Sequence, residues 1–212
     1  MKESEIKILS KPKLTHPTFI LGLNDQYDLN GLIAQTLIEH TQSKKFAELY
    51  SPYFPDCIVS EETGILHLPR YDFFSSESFD PNTVIMTGNV LHDPDNSEAN
   101  YEVFSSVLDF AKSLKCRRFI SFGTFQADSS ENKIHVAATS KSLVSQMTRK
   151  LGAVPFASGR IDGVVGTIIG LAKIHRIPAI CLLGLLSQHL SLRDMAEKIF
   201  TCTIEALKVK AR

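Results

Sequence analysis

Short, almost unbroken apolar runs alternate with longer amphipathic stripes along this chain, and that alternation limits the folds open to it. Thr18-Phe19-Ile20-Leu21, Thr83-Val84-Ile85-Met86, Arg118-Phe119-Ile120-Ser121-Phe122 and Ala179-Ile180-Cys181-Leu182-Leu183 place apolar side chains on both alternating faces. A strand of that kind is covered on both sides, as in a largely parallel sheet. The first three runs are closed by Gly22, Gly88 and Gly123. Helical spacing fills the intervals. Residues 28–41 line up Leu29, Leu32, Ile33, Leu37 and His40, and residues 97–114 line up Val103, Phe104, Val107, Leu108, Ala111 and Leu114 behind Ser97 as N-cap. Ser140 caps a helix carrying Leu143, Val144, Met147 and Leu151. A Gly-spaced helix is predicted at 162–175, and residues 191–208 form a last stripe from Leu192 through Met195, Ala196, Ile199, Phe200, Thr203 and Ile204 to Leu207.

This order predicts an α/β fold, a three-layer α/β/α sandwich with a mostly parallel central sheet. Phe46–Tyr50 and Ile134–Ala138 read as further strands, and Gly64–Leu68 as an edge strand. Residues 50–80 have no helical pattern, and 71–80 read as a polar loop. Residues 1–14 form an N-terminal segment in which Ile6, Ile8 and Leu14 alternate enough for an edge strand; residues 15–212 form one domain. With 212 residues in all, little chain is left for a separate catalytic domain.

Lys plus Arg and Asp plus Glu each total 23, a formal net charge of zero. A nucleic-acid binder needs an excess of cations to displace counterions, and a membrane-surface protein needs a polybasic patch, so neither partner is expected. Cys57, Cys116, Cys181 and Cys202 are widely spaced, which suits neither structural zinc nor a disulfide framework and points to a reducing compartment. The start of the chain lacks an apolar signal-peptide core, and Ile177–Leu186, the longest apolar stretch, is too short to span a bilayer. A cytoplasmic location is expected.

In parallel sheets ligands sit beyond the carboxyl ends of the strands. Asp25 and Asp28 follow the first apolar run, as cation ligands or as caps of the next helix. Asn89 opens the loop 89–96, where His92 with Asp93 and Asp95 is the best acid–base or metal candidate; a solvated Asp-Pro turn is the competing reading. The loop does not spell a calcium hand, since Glu98 and Phe104 occupy the positions of its Gly and Glu. Asp162 precedes Gly163, Gly166 and Gly170, which share one helix face. Glycine weakens a helix interior by about 1 kcal/mol against alanine, so such a series needs a reason. Close packing is favoured over anion binding at Gly159 and Gly163, because the Asp162 carboxylate already complements the helix terminus. No phosphate loop, dinucleotide fingerprint, nucleophile elbow or paired zinc histidines occurs. No catalytic residue, metal or cofactor is therefore assigned.

Several strings together carry a resemblance. They are the strand, Gly22 turn and Gly31-bearing helix; Ser51-Pro52-x-Phe54-Pro55; Val84-Ile85-Met86-Thr87-Gly88-Asn89; Phe110-Ala111; Arg118-Phe119-Ile120-Ser121-Phe122-Gly123; and Gly159-x-Ile161-x-Gly163-x-x-Gly166 running to Ile177-Pro178-Ala179-Ile180-Cys181-Leu182-Leu183. Over residues 15–205 the chain resembles the proteasome assembly chaperone 2 family, above all its archaeal stand-alone members. The resemblance implies a nucleoside-phosphorylase-like fold and a non-enzymatic protein-binding scaffold. Its partners would be proteasome α subunits or a paralogous chaperone, and a homo-oligomer is expected. The alternative is a small-molecule enzyme, nucleoside hydrolase- or phosphorylase-like or of the ATP-grasp label, using Asp25, Asp28, His92 and Asp93. Two departures stand out: no glycine-rich turn follows the first strand, and Val209-Lys210-Ala211-Arg212 lacks the hydrophobic–Tyr–any-residue tail of some archaeal members.

Overall fold

The computed structural model describes residues 1–23, 29–88, 90, 96–126, 133–157, 159–186 and 191–209. In chain order the elements are β1 (Glu5–Ile8), β2 (Thr18–Leu23), α1 (Leu29–Thr41), β3 (Lys44–Tyr50), β4 (Val59–Ser60), β5 (Leu66–His67), β6 (Tyr71–Ser76) and β7 (Thr83–Gly88). There follow α2 (Ser97–Ser113), β8 (Arg118–Gln126), β9 (Ile134–Ala138), α3 (Lys141–Leu151), β10 (Val154–Pro155), α4 (Gly163–Ile174), β11 (Ala179–Leu186) and α5 (Leu192–Leu207).

One sheet of nine strands runs β1-β3-β6-β7-β2-β8-β11-β9-β10, and β4 and β5 pair apart from it. The central β7-β2-β8-β11 are mutually parallel. Around them β6, β3 and β1 are antiparallel on one flank, and β9 is antiparallel to β11 on the other. The central strands are the runs with apolar side chains on both faces. Ile20, Ile85, Ile120 and Leu182 meet Ile33, Leu37, Met147 and Ile199 from α1, α3 and α5. On the other face Phe19, Val84, Met86 and Phe119 meet Val103, Phe104, Val107 and Ile168 from α2 and α4. The three-layer α/β/α sandwich follows from these two cores.

Several details differ from the sequence reading. Tyr71–Ser76 is an interior strand, not a polar loop; Tyr71 and Phe73 point into the core while Asp72 points away from it. Gly64–Leu68 supplies only Leu66–His67 to a strand, and that strand belongs to the separate ribbon. Gly22 and Gly123 lie within strands rather than closing them. A Cβ on Gly22 would stand 2.3 Å from that of Ala34, so the bare position lets α1 lie down on β2. The buried face of α1 is Leu29, Asn30, Ile33, Ala34, Leu37, Ile38 and Thr41, whereas Leu32 and His40 are exposed. Asn96, not Ser97, caps α2, its side chain accepting from Ala99 N–H. Ser140 caps α3 as its sequence suggests, accepting from Leu143 N–H. Leu192 is exposed at the start of α5.

Three crossover helices end alike. Gln42, Lys115 and Arg176 stand at positive φ (53°, 56° and 59°) just past α1, α2 and α4. In each the next amide reaches back to close the final turn: Ser43 to Ile38, Cys116 to Ala111 and Ile177 to Ala172. Glycine usually holds that position, because a Cβ there is disfavoured. Beside the second of these ends, Arg118 is completely buried at the start of β8. Its guanidinium donates to the carbonyls of Leu207 and Val209, both at 2.7 Å, and so takes up the last carbonyl of α5 and one two residues beyond it. Thr18 Oγ1 accepts a longer bond from Arg118 Nε. Burial, and then the Arg117 charge, lower the Arg118 pKa to about 10.

Candidate docking surface

Among the described residues, exposed large apolar side chains gather between Tyr53 and Leu68. Tyr53, Ile58, Ile65, Leu66 and Leu68 are 41–65% exposed. They sit on and around the β4–β5 ribbon, whose tip is closed by Gly64 N–H to the Glu61 carbonyl and Glu61 N–H to the Ile65 carbonyl. Gly64 has φ +79°, a conformation that side-chain-bearing residues disfavour, so glycine shapes the turn. A ribbon of two residues per strand buries too little to hold itself.

It is held by charge. Arg70, where β6 begins, reaches Glu61 at the ribbon tip (3.3 Å), Asp72 (2.9 Å) and Glu48 (3.6 Å). Lys45 completes the network with Glu48 (2.6 Å) and Asp72 (2.9 Å). Tyr50 donates to Glu48 at 3.0 Å. Burial alone would raise the Glu48 pKa, but the bonds from Lys45 and Tyr50 and the charges of Lys45 and Arg70 outweigh it and hold the carboxyl below its usual range. Burial and the bond to Glu48 push the Tyr50 phenol up. On the opposite face Phe54 meets Tyr71 edge to face at 4.8 Å. A cavity of about 220 Å³ is lined by Tyr50, Phe54, Cys57, Leu68 and Pro69, among others, from the chain on either side of the ribbon. Contiguous exposed apolar side chains rimmed by charge characterise protein interfaces.

Asp25, Asp28, Asn89, His92 and Asp93 lie outside the described residues. Asp162 is the N-cap of α4, makes no side-chain cap bond and pairs with Arg160. The glycine stripe does not press on the sheet: a Cβ at Gly163 or Gly170 would meet nothing within 4 Å, and at Gly166 it would strike the Ile161 carbonyl of the approaching loop. Gly159 lies against the Phe156 ring, Gly88 against Tyr71 and the Arg70 carbonyl; Gly31 is half-buried in α1. Among the described residues no group of His, Cys, Asp and Glu could hold a metal ion, and no helix is long and apolar enough to cross a membrane. The ribbon was not singled out from sequence. Its one signal there is four Ile and Leu in a stretch that also carries Pro55, Glu61, Glu62 and Gly64.

A model of the PAC2 family matches residues 19–210. The chain belongs to the PAC2 family. Among solved structures it is similar to Pyrococcus furiosus PbaB, an archaeal proteasome activator, with 27% identity and a TM-score of 0.88, covering 100% of this chain and 92% of that one. It shares its fold with Pyrococcus furiosus PbaA, an archaeal homolog of proteasome-assembly chaperone, at 15% identity and a TM-score of 0.76, covering 99% and 88%. A curated relative is an uncharacterized protein of Methanocaldococcus jannaschii, 21% identical over 207 residues, 96% of this chain and 79% of the relative. The PAC2 match spans the ribbon, the charge network beneath it and Arg118 alike.

Proposed function

We propose that this PAC2-family chain is a non-enzymatic protein-binding factor that acts in the cytoplasm on proteasome α subunits. The observation that carries the reading is the near end-to-end similarity to PbaB, an archaeal proteasome activator. The exposed side chains of the β4–β5 ribbon support it, because a protein partner is what such a surface accommodates. Leu66 and Ile65 would form the apolar centre of the contact, with Arg70 and Glu61 fixing the ribbon before the partner arrives.

The test is surface plasmon resonance between the purified chain and purified α subunits of the source organism's proteasome. Saturable binding is expected, weakened at least tenfold by Ile65→Asp with Leu66→Asp. Both positions are exposed, so circular dichroism of that variant should match the wild type. Absence of binding at tens of micromolar overturns the reading. Binding that is indifferent to the ribbon variant removes the ribbon from it.

A further inference from the structure

The sheet ends in an unpaired edge at β1, and its side chains complement themselves. Among the described residues only β3 pairs with β1, and the other side of the strand is the rim of the sheet. Leu9 N–H points inward to the Phe46 carbonyl at 2.8 Å. Backbone groups alternate in direction along a strand, so Lys7 and Glu5 also face β3, and Ile6 and Ile8 aim their N–H and C=O groups outward. Ser4 N–H donates to Glu102 Oε1 of α2 at 2.9 Å, which fixes the start of the strand. The edge is therefore held extended with two outward residues ready to pair.

We infer that β1 pairs antiparallel with β1 of a second copy of this chain, about a two-fold axis through Ile6. In that register Ile6 opposes Ile6 of the second copy as the hydrogen-bonded pair. Glu5 and Lys7 then face Lys7 and Glu5 of the second copy as the close, non-hydrogen-bonded pairs. The two sheet faces are complementary in different ways. Ile6 and Ile8 share the face of the α2 core, with Ile8 and Leu9 half-exposed. Glu5 and Lys7 share the polar face with Tyr50 and Glu48. Other registers lose this match: an axis through Lys7 sets Lys7 against itself, an axis through Glu5 sets Glu5 against itself, and a half-step places each charge opposite an uncharged residue. A lysine on a short edge strand ordinarily discourages foreign strands. With Glu5 two positions away, the same lysine admits a second copy. This pairing is independent of what binds the ribbon.

Analytical ultracentrifugation of the full chain tests it. The wild type is expected to dimerise at micromolar concentration, more weakly at high salt. Lys7→Glu places like charges opposite each other twice and should weaken dimerisation at least tenfold, as should Glu5→Lys. The double variant Glu5→Lys/Lys7→Glu restores the opposite pairs and should restore the dimer. Ile6→Cys in a Cys57→Ser background should cross-link to a dimer on oxidation, since a hydrogen-bonded pair stands about 5.5 Å apart, within disulfide reach. A monomeric wild type, or an oligomer of unchanged affinity in Lys7→Glu, overturns the inference.

Discussion

Two arginines hold down two regions of this molecule by opposite means. Arg118, at the seam between β8 and the end of α5, is wholly buried and has only neutral acceptors, two carbonyls and the Thr18 hydroxyl. Arg70, on the β3–β6 flank, is partly exposed and touches Glu48, Glu61 and Asp72, two of which also reach Lys45. At the seam, among the described residues, Arg118 is the only arginine on the Val209 carbonyl, and Arg117 backs it up with bonds of 3.4 Å at Leu207 and 3.2 Å at Thr18. On the flank each carboxylate but Glu61 has a second cation, so a loss is shared. The seam is where the fold is fixed, and the flank is where a surface can be presented and adjusted.

The largest effect that follows is at the seam. Arg118→Ala strips the Val209 carbonyl of its donor, leaves the Leu207 carbonyl only the 3.4 Å bond from Arg117 and opens a void, which should cost about 2–4 kcal/mol. Urea unfolding measures it, and hydrogen exchange should show the last turn of α5 opening first. Arg70→Ala should cost about 1 kcal/mol, because Lys45 still serves Glu48 and Asp72. Its distinctive effect is faster hydrogen exchange in the β4–β5 ribbon with α5 unchanged. A loss at Arg70 equal to that at Arg118 would break the contrast.

Acid sharpens the same contrast. The Glu48 carboxyl has its pKa lowered by folding, so its contribution is present above the unfolded value and disappears as pH falls through the folded one. Glu48→Gln should therefore flatten the acid limb of stability below about pH 5, read from the urea midpoint at each pH. Smallest is the gain at the seam's own edge: Lys115→Gly relieves a positive φ and should raise stability by about 0.5–1 kcal/mol. The same substitution at Lys112, inside α2, should lower it.

The sheet and its layers were legible because β2, β7, β8 and β11 must be covered on both faces, and such strands can hardly be written with polar residues. β6 was harder. Asp72, Ser75 and Ser76 interrupt its apolar run, and Tyr71 and Phe73 alone carry the period of two. The ribbon was illegible for a physical reason: Ile65 and Leu66 are composed like core residues, and only the path of the chain leaves them outside. Arg118 reads as a charge preceding a strand, and nothing local reveals that the end of a helix some ninety residues onward closes over it. Asp25, Asp28, Asn89, His92 and Asp93 fall in stretches of sequence with no apolar period of their own, where pattern constrains position least.

The Arg118 clamp also bears on how the chain is made. During synthesis β8 emerges well before Leu207 and Val209, so its guanidinium must wait, solvated, for carbonyls that do not yet exist. Until they leave the ribosome, burying β8 would strand a bare cation in the core. The nascent chain thus keeps its central sheet open at one end, and translation of the last helix is what permits it to shut.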